Sequence, residues 1–391
     1  MAEEEEELDY AAIVKQAMDN SVNSSFNSFQ GNWGNAFTSI NNIDIDSILK
    51  KLPSTRKSTV QTAVKNLSEA YNQNNLVLVI GAGISINYGL PGWNSLLQRL
   101  LMRTIAEEKS RATVLSKIFT KVFNPSPLIA GRYLQDSLSK ETNKKNNFEI
   151  EVRNALYETF NTNHNSMIMN EIIKLCIAPG NSPNLDCLIS YNYDDLIETK
   201  LRESGTGVQF QSIFGKGWNP DIKSLPIYHV HGFLPQEGKI DENNIITMGE
   251  FIYHEQYNAI YSWNNIVQIN KFRDKTCLFI GSSLSDPNIR RLLDIANTQK
   301  NNNKFHYIVK IKPNRNEIIK LLKLLLSNDH DILNEKSETN IDFDYTIDFL
   351  IKIHDRFEER DSESLGVKTV WIDDFENDIS EILKNIREKS L

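Results

Sequence analysis

The sequence predicts an α/β protein with one doubly wound, mostly parallel, Rossmann-like sheet and a large helical insertion. Three observations lead to this. Apolar segments of strand length recur along the chain, segments with helical periodicity lie between them, and a long helical stretch separates the first two strands. The predicted strands are residues 76–80, 185–190, 226–230, 276–280, 305–311 and 366–371. Strands that are apolar on both faces are typical of a parallel sheet covered by helices.

The helices are predicted from the spacing of apolar residues. The chain enters its first strand from a helix that starts near residue 58 and has one apolar face. That face contains Val60, Ala63, Val64, Leu67 and Ala70. Residues from about 94 to 180 have a helical pattern throughout, which is too long for a simple crossover and predicts an inserted helical module. Further helices are predicted at 196–201, from 288, and at 317–326, 345–357 and 375–386.

The pattern divides the chain into an N-terminal arm, residues 1–50, and a folded domain, residues 51–391. The arm is polar and rich in Asn and Ser, yet it contains four aromatic residues, Phe26, Phe29, Trp33 and Phe37. Isolated aromatics in such a context cannot build a core, and exposed aromatics are enriched where proteins meet. We therefore expect the chain to form a homo-oligomer in which this arm contacts another chain.

Composition and charge are those of a globular protein without a broad basic face. The 391 residues are 40% hydrophobic and 24% charged, and the net charge is −8, so an extended nucleic-acid surface is not expected. The three cysteines, Cys176, Cys187 and Cys277, form no Cys-x-x-Cys pair, so no zinc ribbon is expected. The acidic run at residues 3–7 and the lack of an apolar run of membrane-spanning length predict a cytoplasmic protein with no membrane contact.

Two glycine-containing segments follow predicted strands. Gly81, Ala82 and Gly83 come directly after the first strand, where a missing Cβ lets the backbone approach a ligand and the next amides can hold a pyrophosphate. The third glycine of a standard dinucleotide fingerprint would fall at Ile86, so a plain strand-to-helix turn is the alternative. Residues 281–283, Gly-Ser-Ser, resemble a second phosphate or ribose cradle.

Polar residues follow two other predicted strands. Asn192 is either a turn or helix-cap residue or an amide that orients a ribose hydroxyl or a water. Asp194 is either a helix cap or a partner of the ribose and nicotinamide. His231, next to Gly232, is either structural or a general base near neutral pKa. His229 would point to the same sheet face as His231, which makes a metal site conceivable, although no third ligand has suitable spacing.

Four stretches of the chain carry a further signal, namely GAGIS with GLP, then YNYD, then HVHG, then FIGSSLSDPNIRRLL. In order and spacing they resemble the sirtuin superfamily, over roughly residues 75–310. The resemblance implies an NAD-binding fold and a role for each matching residue. The pyrophosphate loop would be formed by Gly81, Ala82, Gly83 and Ser85, and the adenosine-ribose loop by Gly281, Ser282 and Ser283. The nicotinamide ribose would be held by Asn192 and Asp194. The catalytic histidine would be His231.

The departures from the sirtuin pattern are informative. Residues 92–94, Gly-Trp-Asn, stand where typical sirtuins have Asp-Phe-Arg, and the four zinc cysteines are missing, so no zinc module is expected. The stretches TMGEFIYHEQY and SLSDPNIRRLL resemble the bacterial anti-phage defence branch of the superfamily. Members of that branch deplete NAD during phage infection, and some act with a HerA-type hexameric ATPase, the type that this chain's length and Asn-rich arm resemble most.

Taken together, the residues and the resemblance predict an NAD glycohydrolase with NAD as substrate and no zinc. Asn192 would position a water or the ribose hydroxyls, and His231 would accept a proton. The alternatives are a module that senses NAD or ADP-ribose without turnover, or a nuclease or DNA-processing subunit that meets nucleic acid through its complex. A protein deacylase is less favoured, because that reaction needs the peptide groove shaped by the zinc module.

Overall fold

A computed structural model describes residues 60–105, 114, 118–119, 122, 126–140, 147–176, 184–217, 219–221, 223–249, 254, 258–300, 305–328 and 343–389. The chain divides into two compact units. The larger, which contains the whole sheet, comprises Thr55–Leu100, Pro127–Lys312 and Arg356–Leu391. The described residues of the smaller unit lie within Leu101–Ser126 and Pro313–Asp355. The predicted N-terminal arm lies outside the described residues.

The described strands form one seven-stranded sheet in which every neighbouring pair is parallel. They are β1 (Leu76–Ile80), β2 (Leu185–Ser190), β3 (Phe210–Ile213), β4 (Leu225–His229), β5 (Thr276–Ile280), β6 (His306–Ile311) and β7 (Val367–Ile372). Their order is β3-β4-β2-β1-β5-β6-β7, so the chain winds outward from β1 in both directions. The predicted doubly wound fold is confirmed, and its switch point lies between β1 and β5, where such sheets bind ligands.

Helices cover the strands in the predicted alternation. They are α1 (Val60–Asn72), α2 (Trp93–Ile105), α3 (Pro127–Lys140), α4 (Asn147–Leu156), α5 (Met167–Leu175), α6 (Leu196–Glu203), α7 (Trp263–Asp274), α8 (Pro287–Thr298), α9 (Arg315–Asn328), α10 (Phe343–Ser364) and α11 (Phe375–Glu388). Helices α2 to α5 are the helical insertion between β1 and β2. Among the helices that the structure describes, none is both long enough and apolar enough to cross a membrane.

The core lies against both faces of the central strands. Every residue of β1 and of β5 is buried, which explains why both read as continuous apolar runs. Cys187 and Cys277 are buried free thiols in this core, and Cys176 is a third in α5's C-cap. Helix α1 buries the apolar face that its spacing predicts. Burying one such aliphatic side chain contributes about 1.5–3 kcal/mol, so this layer stabilises the central strands that carry the site.

The sequence did not reveal β3 or α7, and the structure gives the reason for each. Strand β3 lies at the sheet edge, and only Ile213 of its four residues is buried. Helix α7 buries Asn264, Asn265 and Gln268 where an apolar stripe is expected. Strand β3 buries little apolar surface, and α7 mixes buried polar residues with buried Phe272, so neither leaves a clear hydrophobic period in the sequence.

Candidate functional site

Four neighbouring parallel strands bring the predicted site residues to one edge of the sheet. Strands β4, β2, β1 and β5 lie side by side, so their carboxyl ends point the same way. His231 follows β4, Asn192 follows β2, and Gly81 and Gly281 directly follow β1 and β5. Segments that are far apart in sequence therefore meet in one place.

The two glycine segments pack directly against each other. The Gly81 amide donates to the Ile280 carbonyl at 2.9 Å, and the Gly83 amide donates to the Gly281 carbonyl at 3.1 Å. A Cβ at Gly81 would lie 2.4 Å from the Gly281 oxygen, and one at Gly83 would lie 2.7 Å from the Gly281 Cα. Gly281 has a φ of +69°, a conformation that favours glycine. These glycines are therefore required by the contact between the loops, a role that the sequence did not indicate.

The loop after β1 continues as two short 3₁₀ turns, Ala82–Ile84 and Ile86–Tyr88. Residues 81–85 are all described, and four of their five amides donate to backbone carbonyls of the protein. A pyrophosphate at this loop would use the Ala82 amide or require the loop to rearrange. The predicted pyrophosphate role of this segment stays a prediction. The segment that follows Gly81 is a pair of short 3₁₀ turns, so the amides for a pyrophosphate would not come from the N-terminus of a long helix.

Asn192 fastens the loop after β2 to the loop after β1. Its Nδ2 donates to the Gly81 carbonyl at 3.2 Å and to the Ser85 hydroxyl at 3.0 Å. A carbonyl oxygen can only accept, so the contact with Gly81 fixes which way the buried amide faces. Both N–H groups of Asn192 are thereby engaged, and the interaction left for a substrate or water is acceptance at Oδ1. Helix α6 has Asp195 as its N-cap, so Asn192 does not cap that helix.

Asp194 is a buried carboxyl beside the same loop. Its Oδ1 accepts the Leu196 amide at 3.2 Å, and the Ser85 hydroxyl donates to the carboxyl. Burial raises the pKa of Asp194 to about 6, although these two hydrogen bonds oppose the shift. Asp194 thus accepts a hydrogen bond from the backbone N–H of the first residue of α6. It also shares the Ser85 hydroxyl with Asn192.

His231 is held between a ring and a carboxylate. The Tyr191 ring packs edge-on against its imidazole, with centroids 4.7 Å apart, and Asp286 Oδ2 lies 3.7 Å from its Nε2. Burial lowers the pKa of His231, and the charge of Asp286 offsets only part of that effect. The imidazole is therefore neutral at pH 7, which is the form that accepts a proton. Gly232 has a φ of +110°, and a Cβ there would lie 2.4 Å from the Ile245 oxygen, so the backbone itself requires this glycine.

Asp286 is a site residue that the sequence analysis missed. Its Oδ1 accepts the Asn288 and Ile289 amides at 2.7 and 3.0 Å and so caps α8, while Oδ2 faces His231. An Asp before Pro at a helix start is a strong capping signal, and the second oxygen has no signature in the sequence. Asp286 can stabilise an imidazolium that would form if His231 accepted a proton, as carboxylates do beside catalytic histidines.

The remaining predicted residues lie around this centre. Ser282 is half-buried against Gly81, and Ser283 is exposed with its hydroxyl 2.6 Å from that of Ser285. His229 lies 2.6 Å from Glu198, whereas His231 faces Asp286. Within the described part of the chain, no group of three or more His, Cys, Asp and Glu side chains is placed to hold a metal ion.

Comparison with known proteins agrees with this architecture. Residues 186–332, which contain Asn192, Asp194, His231 and Gly281, match the model of the SIR2-like domain. The chain is 23% identical over 333 residues to a protein of Enterococcus faecium named NAD(+) hydrolase ThsA, covering 84% of this chain and 58% of that protein.

Proteins of the same name in Acinetobacter baumannii and Cytobacillus dafuensis are 24% and 23% identical over 346 and 345 residues. These matches cover 85% and 84% of this chain and 56% of each relative, so the chain spans little more than half the length of the relatives it matches. The predicted resemblance to the sirtuin superfamily is confirmed over residues 186–332, by the match to the SIR2-like domain.

Proposed function

We propose that this chain, which carries a SIR2-like domain, is an NAD⁺ hydrolase that splits NAD into nicotinamide and ADP-ribose in anti-phage defence. One observation carries the proposal. A buried, neutral His231 with Asp286 behind it lies at the same sheet edge as the Asn192 amide and the paired glycine loops. The names of the relatives, NAD(+) hydrolase ThsA, support the same activity.

The residues can supply what this reaction needs. Cleaving the bond between nicotinamide and ribose passes through a state that resembles an oxocarbenium ion, which a water then attacks. Asn192 Oδ1 would accept a hydrogen bond from that water or from a ribose hydroxyl. His231 would take up the proton that the water releases, and Asp286 would stabilise the resulting imidazolium.

The test is nicotinamide release from NAD by the purified chain, followed by liquid chromatography. The unaltered chain should release nicotinamide, and His231→Ala should lose at least about 100-fold in rate, the usual contribution of a positioned acid–base group. Asn192→Ala should also lose most of the rate, because the group that positions the water or the ribose is removed. Asn192→Ala also removes two buried hydrogen bonds, so its fold should be verified by circular dichroism. Asn165→Ala alters an exposed amide that bonds only to Asn170 within α5's first turn and is the matched control.

Three outcomes are distinguishable. Nicotinamide release that depends on both residues supports a hydrolase. Tight NAD or ADP-ribose binding without release supports the sensing module, and full release by either alanine variant would remove the catalytic assignment.

The proposed ATPase partner rests on the resemblance, and the proposed homo-oligomer rests also on the aromatic residues of the N-terminal arm. We propose that the chain works as a homo-oligomer with a HerA-type hexameric ATPase, through which nucleic acid could be contacted. The hydrolysis assay should therefore be run with the chain alone and with such an ATPase added.

A further inference from the structure

A buried ion pair lies directly behind the Asn192 turn. His229, the last residue of β4, places Nε2 2.6 Å from Oε1 of Glu198 on α6, and each side chain is 1% exposed. The Ser212 hydroxyl donates to the same carboxylate oxygen at 2.8 Å. Burial alone would raise the pKa of Glu198, but the charge of His229 and these hydrogen bonds hold it below its ordinary value. Glu198 is therefore ionised.

The second ring nitrogen of His229 points to the Asn192 backbone. Nδ1 lies 3.4 Å from the Asn192 carbonyl oxygen. A carboxylate and a carbonyl only accept hydrogen bonds, so the imidazole satisfies both when it carries a proton on each nitrogen. Burial alone lowers the pKa of His229, yet the Glu198 carboxylate raises it above its ordinary value. Glu198 and Asp194 are the charged groups that face the ring, and Phe233 packs on it at 4.2 Å between centroids.

We propose that His229 and Glu198 are a positioning pair for the catalytic turn, in which the charged imidazole holds the Asn192 backbone so that its amide reaches the loop after β1. The inference rests on the proposed function, because it assigns these residues to the same site. The backbone N–H of Asn192 donates to the Ser190 hydroxyl at 3.2 Å, and that hydroxyl also lies 3.4 Å from the Asn192 carbonyl oxygen. The turn is thus held at both backbone polar groups of Asn192, and its side chain is directed at Gly81 and Ser85.

The energetics favour a positioning role over a purely stabilising one. Desolvating two charges costs several kcal/mol each, and apolar replacements of buried pairs are often neutral or stabilising. A pair that is retained at that cost, with its second donor on the Asn192 carbonyl, defines one geometry for the turn.

The experiment compares Glu198→Gln with Glu171→Gln. In Glu198→Gln the side chain still accepts from Ser212, but His229 loses the charge that keeps it doubly protonated. When the neutral ring donates through Nε2–H to the side-chain oxygen of the introduced glutamine, Nδ1 has no proton to donate to the Asn192 carbonyl. Glu171 on α5 is also a buried carboxylate, paired with Lys174 and Arg387 away from this edge. Both variants should lower the melting temperature, whereas only Glu198→Gln should lower kcat, by about tenfold or more, with KM changed less than about twofold.

A second measurement needs no substrate. In long-range ¹H–¹⁵N histidine spectra, assigned with His229→Gln, the His229 ring should carry two protons at pH 7.5 in the unaltered chain and one in Glu198→Gln. The Asn192 side-chain amide signals, assigned with Asn192→Ala, should shift or broaden in Glu198→Gln and stay unchanged in Glu171→Gln.

The outcomes separate the two proposals. A singly protonated His229 in the unaltered chain, or unchanged Asn192 signals in Glu198→Gln, would overturn the positioning pair whatever the activity. A kcat of Glu198→Gln equal to that of the unaltered chain would overturn the positioning pair as well. If the unaltered chain releases no nicotinamide, the proposed hydrolase fails, and the Asn192 signals still decide whether the pair positions the turn.

Discussion

Replacing Asp194 by Asn should make the protein more stable and less active. The carboxyl is buried, and its pKa of about 6 lies some two units above the ordinary value of 3.8. One unit corresponds to about 1.4 kcal/mol, so ionising Asp194 in the folded chain costs about 3 kcal/mol. Asn keeps the size and the oxygen that accepts the Leu196 amide, and it carries no charge. We therefore expect a gain in the free energy of unfolding of about 1–3 kcal/mol at pH 8.

The stability gained by Asp194→Asn should depend on pH. Between pH 3.8 and pH 6 the folded chain binds more protons at Asp194 than the unfolded chain, so stability falls as the pH rises through this window. The advantage of Asp194→Asn should be near zero below pH 4 and close to its maximum above pH 6. Asp195→Asn is the matched control, because the Asp195 carboxylate accepts the Tyr157 hydroxyl and the Gln236 amide and should gain nothing on losing its charge.

The assay is urea unfolding of the parent and both variants at pH 5 and pH 8, combined with nicotinamide release. Asp194→Asn should gain more at pH 8 than at pH 5, and its hydrolysis should fall, because the carboxylate is predicted to hold the nicotinamide ribose. An equal or lower stability than the parent at pH 8 would refute the reasoning from burial. Full hydrolysis by a stabilised variant would remove Asp194 from the substrate site.

Four further predictions concern the loops, the metal and the arm. Gly83→Val should lose about 1–3 kcal/mol of stability along with NAD affinity, because its Cβ would lie 2.7 Å from the Gly281 Cα; an unchanged melting temperature would contradict this. Asp286→Asn should retain the helix cap but slow hydrolysis at least about tenfold, because an amide cannot stabilise the His231 imidazolium; kinetics equal to the parent's would exclude that role. Elemental analysis should find no stoichiometric zinc, and one zinc per chain would revive the deacylase alternative. Removing residues 1–43 should lower the assembly mass in light scattering, and the same mass in both chains would demote the arm to a tail.

The fold was predictable because its central strands are buried on both faces. The predicted strands 76–80, 185–190 and 276–280 coincide with β1, β2 and β5, since continuous apolar runs are what a covered parallel sheet requires. The gathering of the candidate residues at one edge also followed, because the carboxyl ends of neighbouring parallel strands meet there. Strand β3, with one buried residue, and α7, whose buried side chains are mostly polar, left no comparable pattern.

The partners of the site residues were not predictable, because they depend on distances between segments. Glu198 reads in sequence as one charged residue of a short helix, and its position against His229 follows only from the crossing of α6 over β4. Asp286 reads as a helix cap because one oxygen performs that role. A residue with two functions shows in sequence only the local one, and the long-range function needs the fold.

The loops at this sheet edge are fastened to one another by contacts within the protein. The Gly281 backbone packs on Gly81 and Gly83, and the Asn192 amide bonds to Gly81 and Ser85. A change in one loop is therefore transmitted to the others through hydrogen bonds and close contacts, so lost hydrolysis alone cannot identify a catalytic residue. Variants that keep a contact and change only its charge, such as Glu198→Gln and Asp194→Asn, separate chemistry from architecture. Glu198→Gln should lower the stability of the fold, because it removes a charge that has a partner. Asp194→Asn should raise that stability, because it removes a charge that burial disfavours.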